Sequence, residues 1–302
     1  MKDAFGRAVR SIRISATKRC NLNCFYCHME GLKEAARDEM TPEELGRIGK
    51  IAASIGIKRA KITGGEPLLR GDICEVISSL RRSMGEISLT TNGILLPSLA
   101  RKLARAGLDR VNVSIDTLEP EKYKKITGMD ELPRVIKGIK SAVSEGLLPL
   151  KLNMVVMRGL NEGEVDGMID FGKKTGAVVQ LIELEADRKG TNRAFYRRYH
   201  FDMEGLETGL AKKAVRIEKR KMQHRMKYFV PNEVEMVRPM HNTEFCAHCS
   251  RIRLTSDGKL KPCLFESRKL VDILTPIRDG VTDRRLKELF GLAISSRVPY
   301  WK

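Results

Sequence analysis

Cys20-Asn21-Leu22-Asn23-Cys24-Phe25-Tyr26-Cys27 sets three cysteines within eight residues, with three and then two residues between them. Three thiolates on one short loop can hold three corners of an iron–sulfur cube and leave the fourth iron open to a small molecule. A zinc site usually takes four ligands, often as two paired hooks. The nearest fourth donor here is His28, which adjoins Cys27 and is badly placed to turn back, so the spacing favours iron. The loop follows Ser11–Ser15 (SIRIS), which reads as a strand, and so sits at a strand's carboxyl end.

Outward from this loop, strand-like runs alternate with helix-length periodic segments. Thr41-Pro42-Glu43-Glu44 starts a helix: Thr41 can cap, Pro42 suits the first turn and Glu44 can close a capping box. Leu45, Ile48, Ile51 and Ala52 give it an apolar face, and Gly56 ends it. Further strands are predicted at Arg59–Thr63, Glu86–Thr91, Arg110–Ile115, Leu150–Met157 and Val178–Leu184. The helices between them are predicted near Gly71–Arg82, Pro97–Ala106, Leu132–Glu145 and Glu162–Thr175. Six strand–helix units in series specify an α/β fold with a parallel sheet and helices on one side. Right-handed crossovers wind such units into a curved, open barrel, with sites at the carboxyl ends of the strands. Gly64-Gly65-Glu66-Pro67, Asn92-Gly93, Ser114 and Asp116 all fall at such ends. The paired glycines allow close backbone approach, and Glu66 could accept hydrogen bonds from an ammonium group.

After Leu184 the rhythm changes and the chain becomes basic. A short helix near Asp202–Lys213 and strands near Val215–Lys219 and Lys227–Val230 are predicted, with a last helix at Arg284–Leu292. Cys246-Ala247-His248-Cys249 and Cys263 form a second set of three cysteines, and the Asp257-Gly258 hairpin signal between them lets Cys263 fold back on the hook. On spacing alone, a zinc ribbon with His248 or His241 as fourth ligand suits this set as well as an iron–sulfur cluster does. Arg251 and Arg253 alternate along a strand and share one face. That face is either solvated or a phosphate site. The seventh cysteine, Cys74, sits on an apolar helical face and reads as a small buried hydrophobe. Two threes and a leftover do not make a disulfide framework.

The chain has 302 residues and a formal charge of +18, which favours polyanionic partners or reflects a Lys/Arg-rich, heat-adapted surface. Aromatics at 5% argue against a single-strand stacking platform. No apolar run of membrane-spanning length occurs and Met1–Arg10 lacks a signal core, so a cytoplasmic protein with no membrane partner is expected.

The Cys20/Cys24/Cys27 spacing together with Gly64-Gly65-Glu66-Pro67 resembles the radical S-adenosylmethionine superfamily. The likeness narrows to the GTP 3′,8-cyclase family of molybdenum cofactor biosynthesis and runs from about Arg10 to Leu292. It rests on Arg13, Leu89-Thr90-Thr91-Asn92-Gly93, Val111-Asn112-Val113-Ser114-Ile115-Asp116, and Phe245-Cys246-x2-Cys249-x-Arg251-x-Arg253-Leu254-x-Ser256-Asp257-Gly258-Lys259. The resemblance implies a partial (βα)6 barrel over residues 1–185. It implies a C-terminal region, residues 186–302, that carries a second cluster and binds substrate.

By the same resemblance, Cys20, Cys24 and Cys27 would hold one [4Fe–4S] cluster and Cys246, Cys249 and Cys263 another. Tyr26, Gly65, Glu66 and Ser114 would contact S-adenosylmethionine. Arg13, Lys61, Thr90, Lys151, Arg251 and Arg253 would contact GTP, with Arg251 and Arg253 the catalytic pair. Lys61 and Lys151 lie within β-rich runs, where an inward unpaired charge is costly. The implied reaction takes hydrogen from ribose C3′ of GTP by a 5′-deoxyadenosyl radical and closes C3′ onto C8. The product is (8S)-3′,8-cyclo-7,8-dihydroguanosine 5′-triphosphate. Implied partners are a ferredoxin- or flavodoxin-type electron donor and a downstream cyclic pyranopterin synthase, with no nucleic acid; a homodimer is compatible.

The sequence also departs from the family pattern. Lys61 stands where many relatives carry arginine, and the methionine after the sixth strand falls near Glu185. Many relatives end in Gly-Gly reaching the active site, where this chain reads Val298-Pro299-Tyr300-Trp301-Lys302. Either the tail is dispensable here or another segment replaces it. Two other readings stay open: a twin-cluster radical enzyme acting on a peptide or RNA, and a zinc protein that binds nucleic acid.

Overall fold

Short, two-faced strands set the architecture. The structure, a computed structural model, describes residues 1–28, 39–186 and 193–301. Along β1 (Ser11–Ser15), Ile12 and Ile14 are fully buried while Arg13 points to the other face. After it, α1 (Pro42–Ser54) starts as its sequence predicts. Thr41 Oγ1 accepts from Glu44 N at 3.2 Å, and the Glu44 carboxylate accepts from Thr41 N at 2.8 Å. Then come β2 (Arg59–Thr63), α2 (Ile73–Arg81), β3 (Glu86–Thr91), α3 (Leu96–Arg105) and β4 (Arg110–Ser114). Next are α4 (Pro120–Thr127), α5 (Leu132–Ser144), β5 (Lys151–Val156), α6 (Val165–Thr175) and β6 (Val178–Glu183). Strands β1 to β6 lie side by side, all parallel. Their outward residues, such as Ile62, Leu89 and Val113, join the helices' apolar faces in one core.

The six predicted strands are all present, with ends shifted by a residue at most. Helix α4 was not predicted. Its signals are Pro120 at the first turn and Gly128, left-handed at φ 79°, at its end.

The remaining elements are α7 (Arg193–Tyr199), α8 (Glu204–Lys213), β7 (Arg216–Lys219), β8 (Met226–Phe229), β9 (Glu233–Val237) and α9 (Thr243–Ala247). They are followed by β10 (Arg251–Leu254), β11 (Lys259–Lys261), β12 (Val271–Asp272), α10 (Leu274–Arg278) and α11 (Asp283–Ser295). This part of the chain builds both flanks of the sheet. Strand β10 pairs parallel with β1, and β9 pairs parallel with β6. The sheet order is β12-β11-β10-β1-β2-β3-β4-β5-β6-β9-β8-β7, and it remains open. The parallel run therefore has eight strands, two more than the repeat in the sequence indicates. Strand β9 was not predicted, because Glu233 and Glu235 interrupt its apolar pattern. Among the described residues, no helix is long and apolar enough to cross a membrane.

Candidate active site

The sheet register decides which polar residues meet. Arg13 is paired with Arg253 on one side and Lys61 on the other. Lys61 continues to Ser88, and Ser88 to Arg110. A neighbouring row runs Thr90–Asn112–Lys151. Because β-strand side chains alternate, each row faces the inside of the curved sheet. Both rows, with Arg251, line one cavity of about 360 Å³, within the range of small-ligand sites. Like charges directly opposite on neighbouring strands are destabilising. The pattern suits a protein whose cavity holds a polyanion.

Electrostatics agrees with the crowding. Lys61 is held well below its ordinary range by burial and then by Arg13, Arg251, Arg110 and Lys151. Arg251 is lowered by burial and then by Arg13 and Arg253. Burial takes Lys151 down to about 8, although Glu235 pairs with it. Glu235 is itself fully buried and also pairs with Arg220 at 2.7 Å, with Arg225 at 3.2 Å. Arg220 and Arg225 line the cavity and were not predicted. They belong to the β7–β8 turn, whose closeness to Lys151 depends on β9. Thr90 Oγ1 and Asn112 Oδ1 are buried at the cavity wall with no hydrogen-bond partner among the described residues.

The cysteine loop lies at the carboxyl ends of β1 and β2. Its approach runs against the glycine pair: Gly65 N donates to Thr17 O at 2.8 Å and Glu66 N to Arg19 O at 2.7 Å. A Cβ on Gly65 would lie 2.2 Å from Arg19 O, so only glycine lets the two segments meet. The Glu66 carboxylate is buried. It accepts from Leu68 N at 2.9 Å, Thr91 Oγ1 at 2.7 Å and Asn92 N at 2.7 Å. Burial nevertheless raises it to about 7. Gly65 and Glu66 thus stand behind the cysteine loop, outside the cavity lining. Tyr26 and Ser114 do line it, with Tyr26 donating to Asp116 Oδ2 at 2.6 Å. Asp116, also accepting from Val155 N, is raised by burial to about 6. Phe195 of α7 meets Phe25 edge-on and Tyr199 meets it tilted, with centroids 5.6 and 5.4 Å away. They close over the loop between Cys24 and Cys27, and sequence periodicity gave no sign of them.

Cys20, Cys24 and Cys27 are electrostatically coupled to one another. Cys24 is pushed up to about 12 by burial and then by Asp116. Cys246, Cys249 and Cys263 line the cavity beside Arg251 and Arg253, and neither His241 nor His248 does. His241 packs against Trp301, its ring tilted, with centroids 4.3 Å apart. Two arginines hold the second cysteine set from behind. Arg7 Nη1 donates to Cys246 O at 2.9 Å, and Arg297 Nη2 donates to Cys249 O. Asp3, its side chain fully buried, bridges them, taking Arg7 Nε at 2.7 Å and Arg297 Nη1 at 2.9 Å. Past Arg297, Val298, Tyr300 and Trp301 line the cavity. Cys74 packs against the core from α2 but is only partly buried, less enclosed than its periodicity predicts.

A parallel sheet with an S-adenosylmethionine-type cysteine loop at its carboxyl ends defines a radical enzyme, and comparison with known proteins agrees. Residues 14–172 match the Radical SAM superfamily, and residues 177–302 match Molybdenum Cofactor Synthesis C. The structure resembles Streptococcus suis SuiB bound to S-adenosylmethionine, with a TM-score of 0.66 and 16% identity. The match covers 93% of this chain and 68% of that one. It also resembles anSMEcpe with bound AdoMet, with a TM-score of 0.64 and 19% identity over 95% of this chain and 84% of that one. A probable GTP 3′,8-cyclase from Thermococcus kodakarensis is 50% identical over 305 residues, 99% of both chains. One from Methanocaldococcus jannaschii is 49% identical over 308 residues, 100% of this chain and 99% of the relative. The chain belongs to the radical SAM superfamily and, within it, to the GTP 3′,8-cyclase family.

Proposed function

We propose that the chain converts GTP to (8S)-3′,8-cyclo-7,8-dihydroguanosine 5′-triphosphate, the first step of molybdenum cofactor biosynthesis. The observation that carries this reading is the cross-strand row Arg253–Arg13–Lys61 inside one cavity, with Lys151 and Arg251 beside it. A triphosphate offsets the mutual repulsion of these cations, and arginine presents paired donors to phosphate oxygens. Thr90 and Asn112 supply polar contacts to the nucleoside.

In this reading residues 1–185 generate the radical and residues 186–302 orient the substrate. Cys20, Cys24 and Cys27 would hold a [4Fe–4S] cluster, and Tyr26 and Ser114 would contact S-adenosylmethionine from the cavity wall, with Gly65 and Glu66 supporting the cysteine loop from behind. Cys246, Cys249 and Cys263 would hold a second [4Fe–4S] cluster at the substrate end of the cavity. When bound, the first cluster and S-adenosylmethionine supply one electron and a 5′-deoxyadenosyl radical. The protein's own part is to hold ribose C3′ toward that radical and C8 over C3′, and to exclude water. Arg251 and Arg253 act as the catalytic pair by fixing the substrate at the second cysteine set. A cytoplasmic location and a ferredoxin- or flavodoxin-type donor complete the proposal, with a cyclic pyranopterin synthase taking the product.

Reduced, reconstituted protein given S-adenosylmethionine and GTP deuterated at C3′ should transfer deuterium to 5′-deoxyadenosine. Turnover without that label would refute GTP as the substrate and favour a peptide or RNA. Stoichiometric zinc with no iron would sink every radical reading.

A further inference from the structure

Away from the cavity, His224, Glu244 and His248 bring their ligand atoms within 4.8 Å of one another. They come from two elements. Glu244 lies in α9 and His248 caps it, four residues on, so the two share a helical face. His224 comes from the turn between β7 and β8. Gln223 and His224 both take positive φ, 60° and 46°, a conformation that residues with side chains rarely adopt. Gln223 N donates to His248 O at 2.9 Å and Arg220 N to Arg225 O at 2.9 Å, which fixes the turn over α9.

Both imidazoles converge on one carboxylate. His224 Nδ1 lies 2.9 Å from a Glu244 carboxylate oxygen, and His248 Nδ1 lies 3.6 Å from the same oxygen. His248 Nδ1 is also 3.0 Å from the Glu244 carbonyl oxygen. The two rings stack with centroids 3.2 Å apart and planes 18° from parallel. Two imidazoles and a carboxylate are the donor set of a three-ligand site for a borderline divalent ion, with a further position open to water. None of the three residues lines the cavity, so the cysteine chemistry does not account for them.

We propose that His224, Glu244 and His248 bind one divalent transition-metal ion of the Zn2+ class. The ion fastens the β7–β8 turn to the helix that carries Cys246. Binding turns the stacked rings so that a nitrogen of each meets the ion, and the partly exposed side chains have room to do so. The clamp matters to the cavity because Arg220 and Arg225 flank the same turn and pair with Glu235.

The test uses holoprotein with iron loaded at both cysteine sets, freed of loosely held metal and titrated anaerobically with Co2+. One Co2+ per chain should bind, with d–d absorption of nitrogen and oxygen ligation and no thiolate charge-transfer band, and Zn2+ should displace it. His224→Asn, which tolerates the left-handed turn, and Glu244→Gln should each weaken Co2+ binding by about tenfold or more at unchanged iron content. Zn2+ should raise the Tm of the wild type and leave that of His248→Ala unmoved. Equal Co2+ affinity in the wild type and both ligand variants would overturn the site. So would a thiolate spectrum, or uptake below one ion per chain at micromolar Co2+.

Discussion

The two cysteine sets carry the same ligands in opposite surroundings. Cys20, Cys24 and Cys27 share one loop and face carboxylates: Glu66 disfavours the Cys20 thiolate and Asp116 that of Cys24. Cys249 is pulled below the ordinary thiol range by Arg251, Arg297 and Arg7, against the opposing effect of burial. The first set is local in sequence. The second is assembled from α9, the segment after β11, and arginines near both ends of the chain. The contrast teaches that spacing tells where a metal cluster sits, while the tertiary neighbours set the field around it. Electron uptake adds negative charge, so carboxylates should lower a cluster's potential and guanidiniums raise it.

The largest effects should come from removing one set at a time. Cys24→Ala and Cys249→Ala should each lower iron from about eight to about four per chain. Cys24→Ala should abolish 5′-deoxyadenosine formation, whereas Cys249→Ala should keep some S-adenosylmethionine cleavage and lose the cyclised nucleotide. In these two proteins the cluster left at Cys246, Cys249 and Cys263 should have the higher midpoint potential by electron paramagnetic resonance titration. The reverse order would break the comparison.

Arg251→Ala with Arg253→Ala should come next. Charged hydrogen bonds contribute about 1.5–3 kcal/mol each, so GTP affinity should fall about a hundredfold or more while both clusters stay intact. Calorimetry with GTP reads the loss; unchanged cyclisation would remove the pair from the site. Asp3→Asn tests the frame behind the second set. It leaves Arg7 and Arg297 buried without their shared carboxylate and should destabilise the fold by about 3–5 kcal/mol in denaturant unfolding. A change under about 1 kcal/mol would mean that the arginines are held by the cysteine carbonyls alone.

The smallest effect concerns pH. Lys151 is charged below about 8 and neutral above it, because burial lowers it from its ordinary value. Affinity for the triphosphate should therefore fall as pH rises through that value, by up to about tenfold, and Lys151→Ala should flatten this part of the profile. A parallel fall in the variant would assign the titration to Lys61, which is also lowered.

Much of the site was legible because its signals are local. Cysteine spacing, the Thr41–Glu44 capping box and the alternation in Arg59–Thr63 each depend on a few adjacent residues, and each appears where the sequence puts it. Strand β9 was missed because its inward Glu233 and Glu235 look like loop residues until Lys227, Lys151 and Arg220 are seen against them. Arg7 and Arg297 gave no signal, since each alone is an ordinary basic residue near a chain end.

The sequence by itself determined the six strands of the repeat, the two cysteine sets and the cavity cations Arg13, Lys61, Lys151, Arg251 and Arg253, because side-chain alternation and cluster spacing are properties of short segments. Only the tertiary structure decided that β10 pairs with β1 and β9 with β6. Strand partners far apart in sequence are chosen by how the whole sheet buries its apolar face. That choice sets Arg253 beside Arg13 and Lys61, and it brings Asp3 and Arg297 together behind Cys246 and Cys249.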